Sequence, residues 1–237
     1  MDQVAGILKR GGEDLGLLLS PGQIEKFSIY LDDLKRWNKK LNLTGLKKDE
    51  EIVVKHFLDS LTCAQLIENF DRNMIDVGTG AGFPSLPLKI YQPGIKLTLL
   101  ESTRKKTTFL EHLVKSLGLE EVRVVWARAE EWAWGKERES YHYVVSRALA
   151  SLRVTLEYTI PFLKVGGYLI VQKGPKAKEE IKAGSKALSI LGGRMDRLIN
   201  LKLPLSGEQR YLLRIEKAKP TPSGYPRRAG IPSKRPL

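Results

Sequence analysis

Residues 76–82 read Asp-Val-Gly-Thr-Gly-Ala-Gly and follow the apolar pair Met74 and Ile75, the order expected of a buried strand that runs into a glycine turn opening a helix. Glycine suits such a turn because the chain reverses partly at positive φ and bare backbone can approach a ligand closely. A dinucleotide fingerprint that starts at Gly78 needs a glycine at position 83, where this chain has Phe83, and a nicotinamide-dinucleotide site is weakened accordingly. About twenty residues further on, the apolar run from Ile95 to Leu100 ends in Glu101, and a carboxylate at a strand terminus can accept both hydroxyls of a ribose. Asp76, Gly78 and Gly80 on the loop with Glu101 on the next strand therefore point to an adenosine-bearing cofactor. A purely structural strand-to-helix turn is the alternative.

The frame that must hold these residues follows from hydrophobic spacing. Ser20, Pro21 and Gln23 make a helix start of the capping-box type, and Ile24, Phe27, Leu31 and Leu34 recur behind it at helical spacing. The pattern predicts a second helix over 59–70, a strand over 74–77, a helix over 86–91, a strand over 96–100, a helix over 105–117 and a strand over 122–126. It continues with a strand over 143–145, a helix over 154–163, a strand over 168–172 and a helix over 176–191. Such alternation implies right-handed βαβ crossovers and a parallel sheet. Two extended runs, 198–203 and 210–215, then follow with only Pro204-Leu205-Ser206-Gly207 between them and read as an antiparallel hairpin. The fold class expected is α/β, a Rossmann-like sheet ending in an antiparallel hairpin. With the acid before the glycine loop and the acid ending the next strand, this resembles class I S-adenosylmethionine-dependent methyltransferases, whose cofactor has no phosphates to cradle. The expected organisation is an N-terminal helical extension (1–72), a methyltransferase domain (73–217) and a basic C-terminal tail (218–237), one structural domain overall. After Lys217 the chain is rich in Pro, Gly and Arg and too poor in apolar residues to fold alone, so the tail is expected to be mobile until a partner orders it.

At 237 residues the chain suits one α/β domain with an extension. Lys and Arg outnumber Asp and Glu by 40 to 27, for a formal charge of +13. The excess is clustered, at Lys35, Arg36, Lys39 and Lys40 and again in the tail, which suggests a polyanionic partner rather than an evenly solvated surface. A single Cys63 excludes an intramolecular disulfide, and the three histidines, at 56, 112 and 142, lack the spacing of a zinc site, so no metal is expected. The N-terminus has only a short apolar run, Leu15 to Leu19, interrupted by Gly16. Neither a signal peptide nor a membrane span is expected, and a cytoplasmic location follows.

The residues also limit which methylation is plausible. Attack through C5 of a pyrimidine needs a nucleophilic cysteine, and Cys63 lies in a helical stretch before the cofactor loop. Exocyclic amines commonly need an Asp/Asn-Pro-Pro-aromatic turn after the fourth strand, where this chain has Ser146, Arg147, Ala148 and Leu149. A ring nitrogen such as guanine N7 already offers a lone pair, so alignment matters more than a general base; ribose O-methylation and other ring nitrogens also survive this elimination. Arg147, after the fourth strand, is placed to touch cofactor or base, or else to pair with a neighbouring acid. Ala129 and Glu130, just past the third strand, could hold an adenine edge, or Glu130 could cap the next helix.

Three separated stretches carry a closer resemblance: Trp37-Asn38-Lys39-Lys40-Leu41-Asn42-Leu43-Thr44, then His56-Phe57-Leu58-Asp59-Ser60-Leu61, then Asp76 through Pro87. With Ser146-Arg147-Ala148, Lys173-Gly174 and the tail from Tyr225 to Leu237, the chain resembles the bacterial small-subunit ribosomal RNA methyltransferase G family, also called glucose-inhibited division protein B. The resemblance implies methyl transfer from S-adenosylmethionine to N7 of a guanine in 16S ribosomal RNA of the small subunit, by a protein expected to act as a monomer. It also implies cofactor positions at Gly78, Phe83, Ala129, Glu130 and Arg147, and at Glu101, Ser102 and Thr103. Many members have glycine where this chain has Ser85. Argued physically, Asn42 and Thr44 can offer amide and hydroxyl groups to RNA, or else form a helix C-terminal turn. Asp59 and Ser60 are expected to cap the helix they precede, and His56 to be a packed histidine. Lys173 at the end of the fifth strand, with Arg227, Arg228 and Lys234 in the tail, completes the expected RNA-contacting set.

Overall fold

The computed structural model describes residues 2–237. Its core is a seven-stranded sheet in the order β3-β2-β1-β4-β5-β7-β6, built from β1 (Asn73–Val77), β2 (Lys96–Glu101), β3 (Val122–Trp126), β4 (Tyr141–Arg147), β5 (Leu163–Lys173), β6 (Gly193–Lys202) and β7 (Gln209–Lys217). The first five strands run parallel, and β7 enters antiparallel between β5 and β6. The strand order reverses between β1 and β4, so their carboxyl ends diverge and open a crevice there, the place where open α/β sheets bind ligands.

Side chains alternate across a strand, and β1 shows the consequence. Met74 joins a core cluster with Phe27, Leu34, Phe57 and Leu99, whereas Ile75 and Val77 join a second cluster with Leu156, Ile160 and Val171 on the other face. The first cluster is supplied by the helices that precede the sheet, α1 (Asp2–Asp14) and α2 (Pro21–Leu41), together with α5 (Ser85–Tyr91) and α6 (Arg104–Ser116). The second is covered by α8 (Leu152–Thr159) and α9 (Ala177–Ile190). Helix α2 starts with the expected capping box: Ser20 Oγ accepts from Gln23 N at 3.3 Å and Gln23 Oε1 accepts from Ser20 N at 2.8 Å.

Three expectations are corrected. The helix expected from Asp59 is part of a longer helical run: α3 (Asp49–Ile52), a π-helical stretch (Val53–Leu58), α4 (Asp59–Leu61) and a 3₁₀ turn ending at Leu66. Asp59 and Ser60 therefore stand inside the run, both buried, and cap nothing. Helix α1 was not legible because Gly6, Gly11 and Gly12 lower its propensity; a Cβ on Gly11 would lie 2.1 Å from Leu58 Cδ1, so the glycine permits close packing. The tail is packed rather than loose. Arg138 donates to the carbonyls of Thr221 and Tyr225 at 2.9 and 2.7 Å, and a short helix, α10 (Ile231–Lys234), lies against α8; another short helix, α7 (Ala129–Trp132), joins β3 to β4. No helix among the described residues is long and apolar enough to cross a membrane.

Candidate active site at the carboxyl edge of the sheet

The glycine loop has the geometry its composition demands. Gly78, Gly80 and Gly82 sit at φ +71°, +61° and +100°, and the N–H groups of Gly78 and Thr79 donate back to Leu100 O at 2.9 and 3.3 Å. Asp76, at the end of β1, is fully buried. Its Oδ2 accepts from Thr79 Oγ1 (2.9 Å), Ser85 N (3.2 Å) and Ser85 Oγ (2.6 Å), while Oδ1 has no partner among the described residues. Burial pushes this carboxyl up to about 7, against the pull of the Ser85 and Thr79 hydrogen bonds. Ser85 is thus a working part of the loop. Glu101 ends β2 with both oxygens held by backbone, Oε2 by Gly80 N at 3.1 Å and Oε1 by Thr103 N at 2.8 Å.

Gly78 of this loop lines a cleft of about 100 Å³ together with Ser102, Ala129, Glu130, Leu149 and Tyr158. Leu149 closes on the loop so tightly that a Cβ on Gly78 would lie 2.3 Å from its Cδ1. Ala129 and Glu130 open α7, and both are buried. Glu130 does not cap that helix; its Oε1 accepts from Gly230 N of the tail at 3.0 Å.

Arg147, the last residue of β4, is the hub on the other side. Its Nη1 donates to Lys55 O at 3.2 Å and lies 3.7 Å from Asp59 Oδ2, and its guanidinium carbon stands 4.7 Å above the Phe83 ring. Phe83 is itself stacked on Tyr30 and His56, with centroids at 5.3 and 4.6 Å. His56 Nδ1 lies 3.2 Å from Arg147 Nη2, which can only donate, and 3.1 Å from Lys55 O, which can only accept, so it serves one or the other according to the tautomer. Nε2 is paired with Thr44 Oγ1 at 2.7 Å, so both ring nitrogens are occupied. Burial, reinforced by the Arg147 charge, drives His56 down to about 3, so the ring is neutral at pH 7.

Below this hub opens a second cavity, of about 570 Å³, lined among others by Thr44, Asp59, Gln172, Lys173 and Arg210. Asp59 Oδ2 accepts from Arg210 Nε at 3.1 Å, and its Oδ1 from Gln172 Nε2 at 3.1 Å. Burial raises the Asp59 carboxyl while Arg147 and Arg210 pull it back. Gln172 Oε1 is buried without a partner among the described residues. Ala148, between the two cavities, is a non-glycine residue at φ +52°, a conformation that costs on the order of 1 kcal/mol for an L-residue. The sequence reading missed Asp59, Gln172 and Arg210 as site residues. Asp59 was visible in the motif around His56, but nothing local indicates that β5 and β7 deliver partners to it.

A family profile described as rRNA small subunit methyltransferase G matches residues 23–210, most of the chain. The chain is 50% identical over 236 residues to the ribosomal RNA small subunit methyltransferase G of Alkaliphilus metalliredigens (strain QYMF), covering 98% of each. It is 44% identical over 230 residues to that of Bacillus cereus (strain B4264), covering 95% of each. The chain belongs to the ribosomal RNA small subunit methyltransferase G family. Among solved structures, the fold is similar to that of a SAM-dependent methyltransferase from Aquifex aeolicus, with a TM-score of 0.55 and 18% identity over 73% of this chain and 96% of that one.

The cofactor of this methyltransferase G family member is S-adenosylmethionine, and the residues present fit it. The orphaned Asp76 Oδ1 is an acceptor suited to an ammonium group, and Glu101 at the strand end is suited to ribose hydroxyls. The residues expected to contact RNA separate in space. Thr44 lines the second cavity, where its Oγ1 accepts from Leu46 N at 3.1 Å and lies 2.7 Å from His56 Nε2. Asn42 instead ends α2 in the left-handed conformation at φ +50° and is exposed. Lys173 also lines the cavity, but its Nζ is engaged by Ala150 O at 2.8 Å and Glu180 Oε2 at 2.9 Å. Arg228 and Lys234 are exposed, whereas Arg227 is bound to buried Glu157 through Nε at 2.8 Å and Nη2 at 2.6 Å.

Proposed function

We propose that this protein transfers the methyl group of S-adenosylmethionine to N7 of a guanine in 16S ribosomal RNA of the small subunit, by direct in-line displacement without a dedicated general base. The observation that carries the reading is the lining of the second cavity, which is large enough for a nucleobase but offers no group free to take a proton. His56 is held neutral with both ring nitrogens occupied, Asp59 is paired with two arginines, and Lys173 is paired with Glu180. Guanine N7 needs no deprotonation, only alignment with an electrophilic methyl, which the sulfonium of the cofactor supplies. The relatives' names supply the RNA, the family resemblance supplies guanine N7, and the elimination among methyl acceptors agrees with a ring nitrogen.

In this reading Asp76 and Glu101 orient the cofactor, Phe83 and Arg147 form the partition between the two cavities, and Gln172 Oε1, near Thr44, offers an acceptor to the incoming base. Arg147 contributes a fixed positive charge and holds His56 and Asp59 in place. The test is to incubate the protein with radiolabelled S-adenosylmethionine and small ribosomal subunits that lack the modification, then map the label. Label at a guanine N7 is expected; label at another atom or none on the RNA would reject the assignment.

A further inference from the structure

The C-terminal segment, whose basic composition suggested a free arm for RNA, makes its most specific contacts on the cofactor side of the sheet. Two of the side chains that line the cofactor cleft, Glu130 and Tyr158, are bonded to it: Gly230 N donates to Glu130 Oε1 at 3.0 Å, and Tyr158 Oη lies 2.8 Å from Ser233 Oγ. The residue before Tyr158 on α8 is Glu157, fully buried, and three donors of one tail residue satisfy it. Arg227 N, Nε and Nη2 reach its carboxylate at 2.9, 2.8 and 2.6 Å, and Nη2 also donates to Arg235 O at 2.9 Å. A buried carboxylate with that many charge-assisted bonds fixes the position of the segment that supplies them. Glu157 thereby anchors the tail, and the contacts of Gly230 and Ser233 that follow fall on the cleft wall itself. Tyr225 and Leu237 pack against the same core cluster as Ala129 and Leu156.

We propose that the segment from Tyr225 to Leu237 is the outer wall of the S-adenosylmethionine site, and that Gly230 and Ser233 are positioning residues that hold Glu130 and Tyr158 against the cofactor. Arg227 and Glu157 are the lock that keeps this wall shut. The inference rests on the cofactor reading of the cleft, not on the identity of the methyl acceptor, so its test needs no RNA. Burial raises the Tyr158 phenol, and its Ser233 partner and the nearby Glu130 charge also act on it, consistent with a closed polar cluster.

The experiment has two arms. In the first, the chain is shortened after Gly224 with Glu157→Gln added, so that no unpaired carboxylate stays buried, and cofactor affinity is measured by calorimetry beside Ser233→Ala and Glu157→Gln in the full chain. The shortened protein should bind S-adenosylmethionine at least about tenfold more weakly, the effect of losing one charge-assisted hydrogen bond at the wall, with Ser233→Ala losing less. Wild-type affinity in a folded shortened protein would overturn the proposal. In the second arm, hydrogen exchange is followed in the intact protein, which covers the case in which the shortened chain does not fold. Amides of residues 227–235 should gain protection when S-adenosylmethionine is added, and unchanged exchange there would equally overturn it. If these arms succeed while no ribosomal RNA is labelled, the acceptor assignment fails and the wall stands.

Discussion

Two buried residues of the site titrate in opposite directions, which gives the protein an unusual pH profile. His56 has an unfolded value near 6.5 and is driven down to about 3 in the fold. Between those values the unfolded chain holds the proton and the folded one does not, so stability falls as pH drops through the window. Asp76 goes from 3.8 to about 7, and there the folded chain holds the proton, so stability falls as pH rises through its window. From about pH 4 to 6.5 the two slopes oppose each other. Asp76→Asn keeps the shape and the bonds to Thr79 and Ser85 but removes the charge. It should therefore be more stable than wild type at pH 8, by up to roughly 4 kcal/mol for a shift of three units, and by only about 1.5 kcal/mol near pH 5, the gap closing below about pH 3.8. Denaturant titrations at the two pH values check this. The same group predicts a functional cost. If the ionised Asp76 receives the cofactor's ammonium, S-adenosylmethionine affinity in the wild type should rise about fivefold from pH 6 to about pH 7.3, above which the ligand's own amine begins to deprotonate. The variant should bind weakly and show no such rise; a pH-independent wild-type affinity would sink the role given to Asp76.

At the scale of elements, one carboxylate ties together pieces that are far apart in sequence. Asp59 on α4 holds Arg147 from β4, Gln172 from β5 and Arg210 from β7. Asp59→Ala would leave two largely buried cations without their acid, and the expected loss is about 3 kcal/mol, at the low end for a broken buried pair because the cavity admits water. The measurement is the shift of the urea midpoint, with Asp59→Asn expected to lose less because it keeps an acceptor. Cofactor binding should survive in both variants, since Asp59 lies on the second cavity. This cluster also marks where sequence reasoning stopped. The glycine loop, Glu101 and the succession of strands and helices were legible because each follows from local spacing: glycines at positive φ, an acid ending an apolar run, alternating strands and helices. The run from Asp49 to Leu66 was not, because a π-helical stretch over Val53–Leu58 breaks the 3.6-residue period on which a helix is recognised. Asp59 then looked like the start of a helix instead of its middle. Strands β4 and β5 were found but read too short, since Tyr141 and Leu163 pair at one end across an irregular register and Arg147 and Gln172 pair at the other.

For the whole molecule, the charge of +13 was legible at once, but not how it is spent between fold and surface. Arg227 looked like part of a mobile basic arm, yet its charge is consumed inside the protein by Glu157. Composition cannot show this, because a low apolar content predicts disorder only when no buried acid in the domain waits for the segment. Among the exposed basic residues, two groups are placed to meet a polyanion near the two cavities. Lys39, Lys40, Lys47 and Lys48 flank Thr44 and Gly45 at the rim of the second cavity, and Arg228, Lys234 and Arg235 lie on the outer face of the tail. Each phosphate contact removed lowers the log–log salt slope of binding by about 0.7 to 0.9. Replacing the four rim lysines by glutamine should thus reduce the slope for small-subunit binding by about 3, and replacing the three tail residues by about 2. S-adenosylmethionine affinity should hold in both, because none of the seven lines the cofactor cleft. Arg227→Gln should behave in the opposite way, weakening cofactor binding and stability while leaving the salt slope almost unchanged. A slope that falls with Arg227→Gln as much as with Arg228→Gln would show that the tail leaves Glu157 to meet the RNA, and the cofactor-side wall and the RNA footprint would then be two states of one segment.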